Sequence, residues 1–453
     1  MEDLKRWFAL VCVLAGFLSK GNAQQQTALL AATPPMGWNS WDSYGLTINE
    51  AEFKANVNWL HQHLQPSGWQ YVVVDEGWYL AHPENADKKD ANEGYVLSPE
   101  GLYLPAANRF PSSANDQGLK PLADYAHSLG LKFGIHIIRG IPKEAVEKNL
   151  PIAGSTYRAA DAADQTDLCR WNPDNYGVKV NEAGQAYYDT MARLYARWGV
   201  DFLKVDCISQ PYDAPEIHMI SAALSKSGRP IVLSLSPGPT PLDQALDVRQ
   251  YGQLWRISDD MWDVWSKKPG EEAFPQSLQN QFVVLSKWSP HVEPGHWPDA
   301  DMLPVGYLGP RPGWGSARQS RFTLGETRTL MTLWSIARSP LILGTNLTRM
   351  DEQIETMMTN PEVIAVDQRS TGNRPVIQGP DTVIWTAIEP GVHLVAVFNL
   401  RDVPATITET WSQLGLDKKS YRVRDLWQRE DVGTQPSLLV SLPAHGAALL
   451  SLK

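Results

Sequence analysis

Residues 202–206, FLKVD, form a short apolar run that contains a lysine and ends in an aspartate. Burying an unpaired charge is costly, so such a pair needs a partner or a purpose. Side chains of a strand alternate between two faces, and Lys204 and Asp206 therefore share the face opposite to Val205. The run predicts a buried strand whose carboxyl end presents an aspartate beside a lysine that keeps it ionised.

Seven further runs of this kind occur before residue 350, and amphipathic segments such as 183–198 and 325–337 separate most of them. Strands that are apolar throughout suit a parallel sheet covered by helices on both faces. Eight β/α alternations predict an α/β fold of the (β/α)8, or TIM barrel, type. An open doubly wound sheet is the alternative, but no glycine-rich phosphate motif follows an early strand. The predicted strands are 36–41, 71–78, 132–138, 202–206, 231–236, 254–260, a weaker element near 291–299, and 340–346.

The pattern changes after residue 370, where short alternating runs are separated by turn residues and no helix is apparent. This pattern of short alternating runs predicts an antiparallel β-sandwich over residues 371–453. The barrel is expected over residues 24–370. Residues 1–23 have the charged start, apolar stretch and terminal small residue of a signal peptide, and the stretch is too short to span a membrane. We expect a secreted or periplasmic protein, free of the membrane once the signal is removed; an N-terminal anchor is the alternative.

Composition narrows the possible partners. The chain of 453 residues has a formal net charge of −10, which argues against a nucleic-acid partner. No cofactor or metal motif is recognisable, and the 18 tryptophans suit either a core or flat platforms for sugars. Cys169 and Cys207, the cysteines outside the signal segment, allow one disulfide or two free thiols.

Carboxylates and tryptophans gather where the predicted strands end, which is where TIM barrels carry their function. Such a set, without a cofactor motif, is typical of glycoside hydrolysis, which uses two carboxyl groups, about 5–5.5 Å apart in retaining enzymes. One attacks the anomeric carbon, and the other protonates the leaving oxygen and then activates water. The carboxylates concerned are Asp75, Glu76, Asp206, Asp259, Asp260, Asp299 and Asp301.

Six motifs occur in order along the chain: TPPMGWNSW (33–41), DEGW (75–78), FLKVD (202–206), WRISDD (255–260), WPDADML (297–303) and SPLILGTNL (339–347). They resemble the motifs of the α-galactosidases of glycoside hydrolase family 27, a retaining family built on a TIM barrel. The resemblance implies that Asp206 is the nucleophile and that Asp260, four residues after Arg256, is the acid/base, with Asp259 as its nearest rival. It also implies a disulfide between Cys169 and Cys207.

The resemblance further implies an oligosaccharide or polysaccharide substrate whose terminal sugar contacts the remaining pocket residues. Trp38 is expected to line the sugar pocket, and Arg139 to add a contact from an enlarged loop. The substrate-binding residues are expected to be Trp38, Asp75, Glu76, His136, Lys204, Ser236, Arg256 and Asp299.

Three departures from the family pattern bear on the sugar. Glu76 replaces an aspartate that grips the 4- and 6-hydroxyls, and its extra methylene could crowd the 6-position and favour L-arabinopyranose. Ser236 replaces a glutamate that holds the 2-hydroxyl, as it does in relatives acting on N-acetylgalactosamine. His136 replaces a tyrosine, and could equally be a histidine satisfied in the barrel wall.

The sequence therefore predicts an exo-acting, retaining α-galactosidase-like hydrolase without a cofactor. β-L-Arabinopyranosidase, α-N-acetylgalactosaminidase and isomaltose-releasing dextranase are the alternatives within this chemistry. A carbohydrate-binding protein without catalysis is disfavoured because both aspartates are present. A metal hydrolase using His291, Glu293 and His296 is disfavoured because their spacing fits no zinc motif.

Overall fold

The eight predicted barrel strands are all present in the computed structural model, which describes residues 29–86, 93–268, 270–272 and 274–453. The segment 1–23, expected to be a signal peptide, lies outside the described residues. The strands are β1 (Met36–Asn39), β2 (Tyr71–Val74), β3 (Lys132–Ile138), β4 (Phe202–Asp206), β5 (Val232–Leu235), β6 (Leu254–Arg256), β7 (Trp297–Asp299) and β8 (Leu341–Leu343).

These strands form one parallel sheet in the order β7-β6-β5-β4-β3-β2-β1-β8. A parallel bridge between Leu303, just beyond β7, and Leu343 of β8 brings the two edges together, so the expected TIM barrel is confirmed. The interior below the mouth is filled by alternating inward side chains, which leaves the strand ends to form the site. This interior layer consists of Tyr71, Val73, Phe202, Val232, Leu254 and Trp297.

Helices cover the outside of the sheet, and the predicted segments 183–198 and 325–337 correspond to two of them. The longest helix of the described residues begins after Asn181, whose side chain accepts a hydrogen bond from the Gly184 amide, and ends at the left-handed Gly199. The helices around the barrel are α1 (Glu50–His63), α2 (Lys120–Ser128), α3 (Glu182–Trp198), α4 (Ala214–Lys226), α5 (Ala245–Tyr251), α6 (Leu278–Trp288) and α7 (Leu324–Ala337), followed by α8 (Glu352–Met358) and α9 (Pro361–Arg369).

The connection from β3 to α3 is enlarged by a small antiparallel sheet of Ile141–Pro142, Ala163–Leu168 and Asn175–Val178. The turn between the last two strands, with its flanking residues, is called the 167–175 loop below. It extends over the barrel mouth and carries one of the two bonded cysteines.

An antiparallel β-domain follows α9, as expected. Its strands are β9 (Thr371–Gln378), β10 (Thr382–Glu389), β11 (Val392–Asn399), β12 (Ala405–Glu409), β13 (Tyr421–Asp425), β14 (Glu430–Gln435), β15 (Leu438–Leu442) and β16 (Ala447–Leu452). Its larger sheet has the order β9-β10-β11-β16-β13-β14, and β12 pairs with β15. Two strands, β9 and β14, were not anticipated from the sequence, because neither shows the apolar/polar alternation of a half-buried strand and β14 is almost wholly exposed.

Helix α7 is buried on both sides because the C-terminal domain packs onto the barrel over it. The Thr329 hydroxyl donates to the His445 carbonyl at 2.6 Å, and the Trp427 indole donates to Thr332 at 2.9 Å. On the neighbouring helix, Phe282 meets Phe398 edge to face with ring centroids 4.9 Å apart. Within the described ranges, none of the helices is long and apolar enough to cross a membrane.

Candidate active site

The predicted nucleophile, Asp206, lies at the end of β4 directly above the packed barrel interior. Phe202 belongs to the interior layer, and the strand's period of two brings Lys204 and Asp206 to the same inner side. Leu203 and Val205 face the helices and belong to the main core. The inward orientation expected for the Lys204–Asp206 pair is therefore present.

Three side chains surround the Asp206 carboxyl. The Trp171 indole donates to Oδ1 at 3.2 Å, while His136 Nε2 and Ser236 Oγ each lie 3.4 Å from Oδ2. Burial raises the pKa of Asp206, but the hydrogen bond and charge of His136 and the charge of Lys204 lower it more, so its pKa lies below the usual range. The environment keeps this carboxylate ionised.

Lys204 pairs directly with Asp75 rather than with Asp206. Its ammonium donates to Asp75 Oδ2 at 2.9 Å, and the Asn39 amide donates to the same oxygen at 2.6 Å. Burial raises the pKa of Asp75, but the charges of Lys204 and His136 outweigh it and hold the pKa well below its ordinary value. Burial alone would lower the pKa of Lys204, but the negative charges of Asp75 and Asp206 outweigh it and raise that pKa above its ordinary value.

His136 lies on β3 between two carboxylates. Its Nε2 is 3.4 Å from Asp206 and 4.0 Å from Asp75, and the side chain is buried. Burial alone would lower the pKa of His136, but these two negative charges raise it above its ordinary value. His136 is thus part of the charge cluster rather than a satisfied residue of the barrel wall.

The predicted acid/base, Asp260, lies at the rim of the mouth, four residues beyond the end of β6 and two strands along the sheet from β4. Arg256 donates to its Oδ1 at 3.1 Å, whereas Asp259 accepts the backbone amide of Asp260 at 2.8 Å. The Asp260 side chain is 38% exposed, against 15% for Asp206. Of the two neighbouring aspartates, Asp260 is the one that contacts the arginine at the end of β6.

Asp301 is a part of the site that the sequence did not assign to substrate. It forms an ion pair with Arg256 at 2.7 Å, and its Oδ1 accepts the amide of Met302 at 2.8 Å. Burial raises the pKa of Asp301 and the charge of Arg256 lowers it, but the charges of Asp260 and Asp299 add to the effect of burial, so the pKa lies above its ordinary value. Asp299, which was assigned, is buried beside it and accepts the Asp301 amide at 2.9 Å. The two-residue spacing in WPDADML was the available signal, since Asp299 ends β7 and Asp301 follows two residues later.

Glu76 reaches the mouth beside Asp75, and its Oε1 accepts a hydrogen bond from Asn172 at 2.6 Å. Burial raises its pKa to about 7, with the charges of Asp206 and Asp75 acting in the same direction. Asn172 was not predicted from the sequence, because it lies on the 167–175 loop, 96 residues from Glu76.

The prediction that Trp38 lines the sugar pocket is wrong. Asn39 faces inward and bonds Asp75, so the adjacent Trp38 faces the helices, where it packs on Tyr44 and Phe53 without exposure. Trp41, in the same motif, is partly exposed just beyond the strand and packs against the backbone of Gly313.

Arg139, from which an additional sugar contact was expected, is engaged by protein partners. Its guanidinium forms a bidentate pair with Asp167 at 2.7 Å and a further bond with buried Glu216 at 2.7 Å. Its Nε donates to the Cys207 carbonyl at 2.7 Å. Cys169 and Cys207 are disulfide-bonded, as the resemblance implied, so both the disulfide and Arg139 tie the 167–175 loop to β4.

The residues weighed for a metal centre do not converge in this fold. Glu293 pairs with Arg249, His296 Nδ1 lies 3.2 Å from the Gly252 carbonyl, and His291 packs edge-on against Trp288. The cluster at the mouth instead offers carboxylates, a histidine and two cations. Four of its members line a small cavity at the strand ends, namely Lys204, Arg256, Asp299 and Asp301.

A barrel whose mouth gathers several carboxylates, with a buried Asp206 of lowered pKa and Asp260 at the rim, has the side chains that a glycoside hydrolase requires. The chain belongs to the α-galactosidase family, glycoside hydrolase family 27. The family profile described as alpha galactosidase A matches residues 175–369, and that of the alpha galactosidase C-terminal beta sandwich domain matches residues 379–452. Alpha-galactosidase 3 of Arabidopsis thaliana is 30% identical over 92% of this chain and 80% of its own length.

Solved structures agree with this membership. A β-L-arabinopyranosidase of Geobacillus stearothermophilus is 44% identical, covers 93% of this chain and 97% of its own, and has a TM-score of 0.87. A putative α-N-acetylgalactosaminidase of Bacillus halodurans is 41% identical with the same coverage and a TM-score of 0.81.

Proposed function

We propose that this protein is an exo-acting, retaining glycosidase that releases terminal β-L-arabinopyranosyl residues, with Asp206 as nucleophile and Asp260 as acid/base. Asp206 attacks the anomeric carbon while Asp260 protonates the departing oxygen. Water then attacks the same carbon, gives its proton to Asp260 and frees the Asp206 carboxylate. The low pKa of Asp206 and the exposed position of Asp260 support these roles.

We propose that the other residues of the cluster hold the sugar. Lys204, Asp75 and His136 lie deep beside the nucleophile, and Arg256 connects Asp260 with Asp301, so both sides of a bound ring meet charged donors or acceptors. Asp299 and Ser236 line the same cavity. Charge-assisted hydrogen bonds of this type discriminate strongly between sugars, because an unmatched buried polar group is heavily penalised.

The choice of sugar rests on Glu76. L-Arabinopyranose is D-galactopyranose without the C6 hydroxymethyl group, and a glutamate reaches further into the pocket than the aspartate usual at this place. Its carboxyl is held at 2.6 Å by Asn172, so it is not free to swing aside. The 44% identity with a β-L-arabinopyranosidase, against about 30% with named α-galactosidases, favours the same choice.

α-Galactosidase remains the second candidate, because the curated relatives that align over most of this chain carry that name. Ser236, small and 3.4 Å from Asp206, keeps room beside the 2-position and makes an N-acetylgalactosaminide a third substrate to test. An isomaltose-releasing activity is the remaining alternative.

The test is release of nitrophenol by the purified protein from a panel of nitrophenyl glycosides, with Asp206→Asn as the blank. We expect β-L-arabinopyranoside to exceed α-galactoside, α-N-acetylgalactosaminide and α-glucoside in kcat/KM. Glu76→Asp should shift preference toward the α-galactoside by about tenfold, the value of a few contacts at one carbon. A wild-type preference for α-galactoside, unchanged in Glu76→Asp, would overturn the choice of sugar but leave the reaction intact.

We further propose that residues 1–23 are removed as a signal peptide, that the protein is exported, and that the barrel and the sandwich divide at residue 370. The disulfide between Cys169 and Cys207 supports an oxidising compartment. The change from α9, ending at Arg369, to β9, beginning at Thr371, supports the division. Fractionation of expressing cells, with N-terminal sequencing of the mature protein, tests the first two points.

A further inference from the structure

Trp171 occupies an unusual position for a tryptophan, since 48% of it is exposed at the mouth of the barrel. Its indole Nε1 donates to Asp206 Oδ1 at 3.2 Å. Exposing a large aromatic side chain forfeits burial that usually stabilises a fold. The ring is therefore placed by its neighbours rather than by burial of its own surface.

Those neighbours are anchored on both sides of Trp171. Two residues before it, Cys169 is bonded to Cys207, the residue next to the nucleophile. One residue after it, Asn172 donates to Glu76 at 2.6 Å. Asp167, at the start of the loop, is clamped by both terminal nitrogens of buried Arg139. Adjacent residues of a single loop thus contact the nucleophile and the glutamate proposed to select the sugar.

The two oxygens of the Asp206 carboxylate differ in their surroundings. Oδ1 has the Trp171 donor at 3.2 Å, whereas Oδ2 has only the longer 3.4 Å approaches of His136 and Ser236. We propose that Trp171 is a positioning residue that holds Oδ1 and leaves Oδ2 to attack the sugar. This inference rests on the proposed role of Asp206 as nucleophile.

The consequence differs between the two chemical steps. In the first, Oδ2 bonds the anomeric carbon, the glycosidic bond breaks, and the leaving oxygen takes the Asp260 proton; Oδ1 becomes the neutral carbonyl of an ester. In the second, water bonds the anomeric carbon and loses a proton to Asp260, and the electrons of the carbon–Oδ2 bond return to the carboxylate. A hydrogen bond from Trp171 to Oδ1 is stronger when Oδ1 belongs to a charged carboxylate than when it is the neutral carbonyl of an ester. Negative charge returns to the carboxylate during the second step, so the donor assists the second step more than the first.

Trp171→Phe keeps a ring and removes the donor. On dinitrophenyl β-L-arabinopyranoside, or the α-galactoside if the panel selects it, the first step is fast. We expect hydrolysis of the intermediate to slow about tenfold, the value of one hydrogen bond to a charged group. The kcat and KM should fall together, a burst of dinitrophenol should appear, and intact mass should reveal a glycosyl adduct. The acidic limb of kcat/KM should move to higher pH.

The matched control is Trp427→Phe, which removes an indole hydrogen bond of 2.9 Å to Thr332 between the two domains. It should leave the kinetics unchanged. The inference is overturned if Trp171→Phe shows wild-type kcat and no burst, or if it lowers kcat/KM without a burst or adduct. If Trp171→Phe gives either of these results while Asp206→Asn is inactive, only the inference about Trp171 fails and the proposed function stands. Turnover by Asp206→Asn would instead overturn the proposed function and this inference with it.

Discussion

The two sides of the barrel mouth hold their carboxylates in opposite ways. Asp206 is deep and 15% exposed, and its carboxyl contacts an indole, an imidazole and a hydroxyl. A disulfide links the 167–175 loop, which carries the indole, to the residue after Asp206. Asp260 is 38% exposed and contacts one guanidinium that it shares with Asp301. A nucleophile needs a fixed, ionised oxygen, whereas an acid/base must exchange protons with a leaving group and with water. The asymmetry of the mouth matches that division.

The largest expected effect comes from Asp206→Asn, which removes the ionised oxygen of the deep side. Turnover of an activated glycoside should fall by at least about 1,000-fold, since a covalent mechanism loses its nucleophile. Melting temperature and initial rates are measured together. Asp247→Asn, whose carboxyl bonds Tyr212 and His218 outside the mouth, is the control and should keep its activity. Near-normal rates for Asp206→Asn would contradict the assignment.

The loss of activity in Asp260→Asn should depend on the leaving group of the substrate, unlike the loss in Asp206→Asn. Poor leaving groups need protonation, so their rates should fall by about 100-fold or more, while dinitrophenyl glycosides should lose much less in the glycosylation step. Kinetics on substrates of graded leaving-group acidity provide the measurement. Asp259→Asn serves as the comparison, because that carboxyl accepts a backbone amide instead of contacting Arg256. If Asp259→Asn shows the leaving-group dependence, the roles of the two aspartates are exchanged.

Loss of the disulfide should affect only the deep side. Cys169→Ser with Cys207→Ser opens a link between residues 38 apart, and the free energy of unfolding should fall by about 2–4 kcal/mol. Denaturant unfolding in the presence and absence of reductant measures it, with the wild type in reductant as the control. Activity should fall as well, because the link places Trp171 and Asn172. An unchanged free energy of unfolding would show that hydrogen bonds alone hold the loop.

The smallest expected effect concerns Glu76, on the deep side. Its pKa is raised from 4.5 to about 7, so between these values the folded protein keeps a proton that the unfolded chain has lost. Stability should therefore fall as pH rises through this window, by about 1–3 kcal/mol. Glu76→Gln should show a smaller fall than the wild type, because buried Asp301 and Glu216 also have raised pKa values and contribute in both proteins, and exposed Glu147→Gln should follow the wild type. Parallel stability profiles for wild type and Glu76→Gln would show that Glu76 is already ionised at pH 4.5.

Most of the fold was accessible from local pattern. The β4 run and its seven counterparts predicted every barrel strand, because parallel strands buried on both faces are continuously apolar. Strands β9 and β14 were missed because exposed edge residues carry no such pattern. The sequence of α7 likewise does not indicate that the C-terminal domain packs over this helix. Its burial depends on contacts from distant residues such as His445 and Trp427.

The site divides along the same line. Asp75, Lys204, Asp206 and Arg256 could be placed because each lies in or next to a predicted strand end. Trp38 could not, since choosing between it and its neighbour Asn39 requires knowing which face of β1 turns inward.

The sequence alone determined the class of protein. The features that did so are the alternation of eight apolar runs with helices, the carboxylates at the ends of those runs, and two cysteines able to pair. Only the tertiary structure decided which side chains complete the mouth. Trp171 and Asn172 reach Asp206 and Glu76 across 35 and 96 residues, through a loop without regular periodicity. Local periodicity records which face of an element is buried, whereas a contact of this kind exists only once the register of the barrel and the path of the loop are both set.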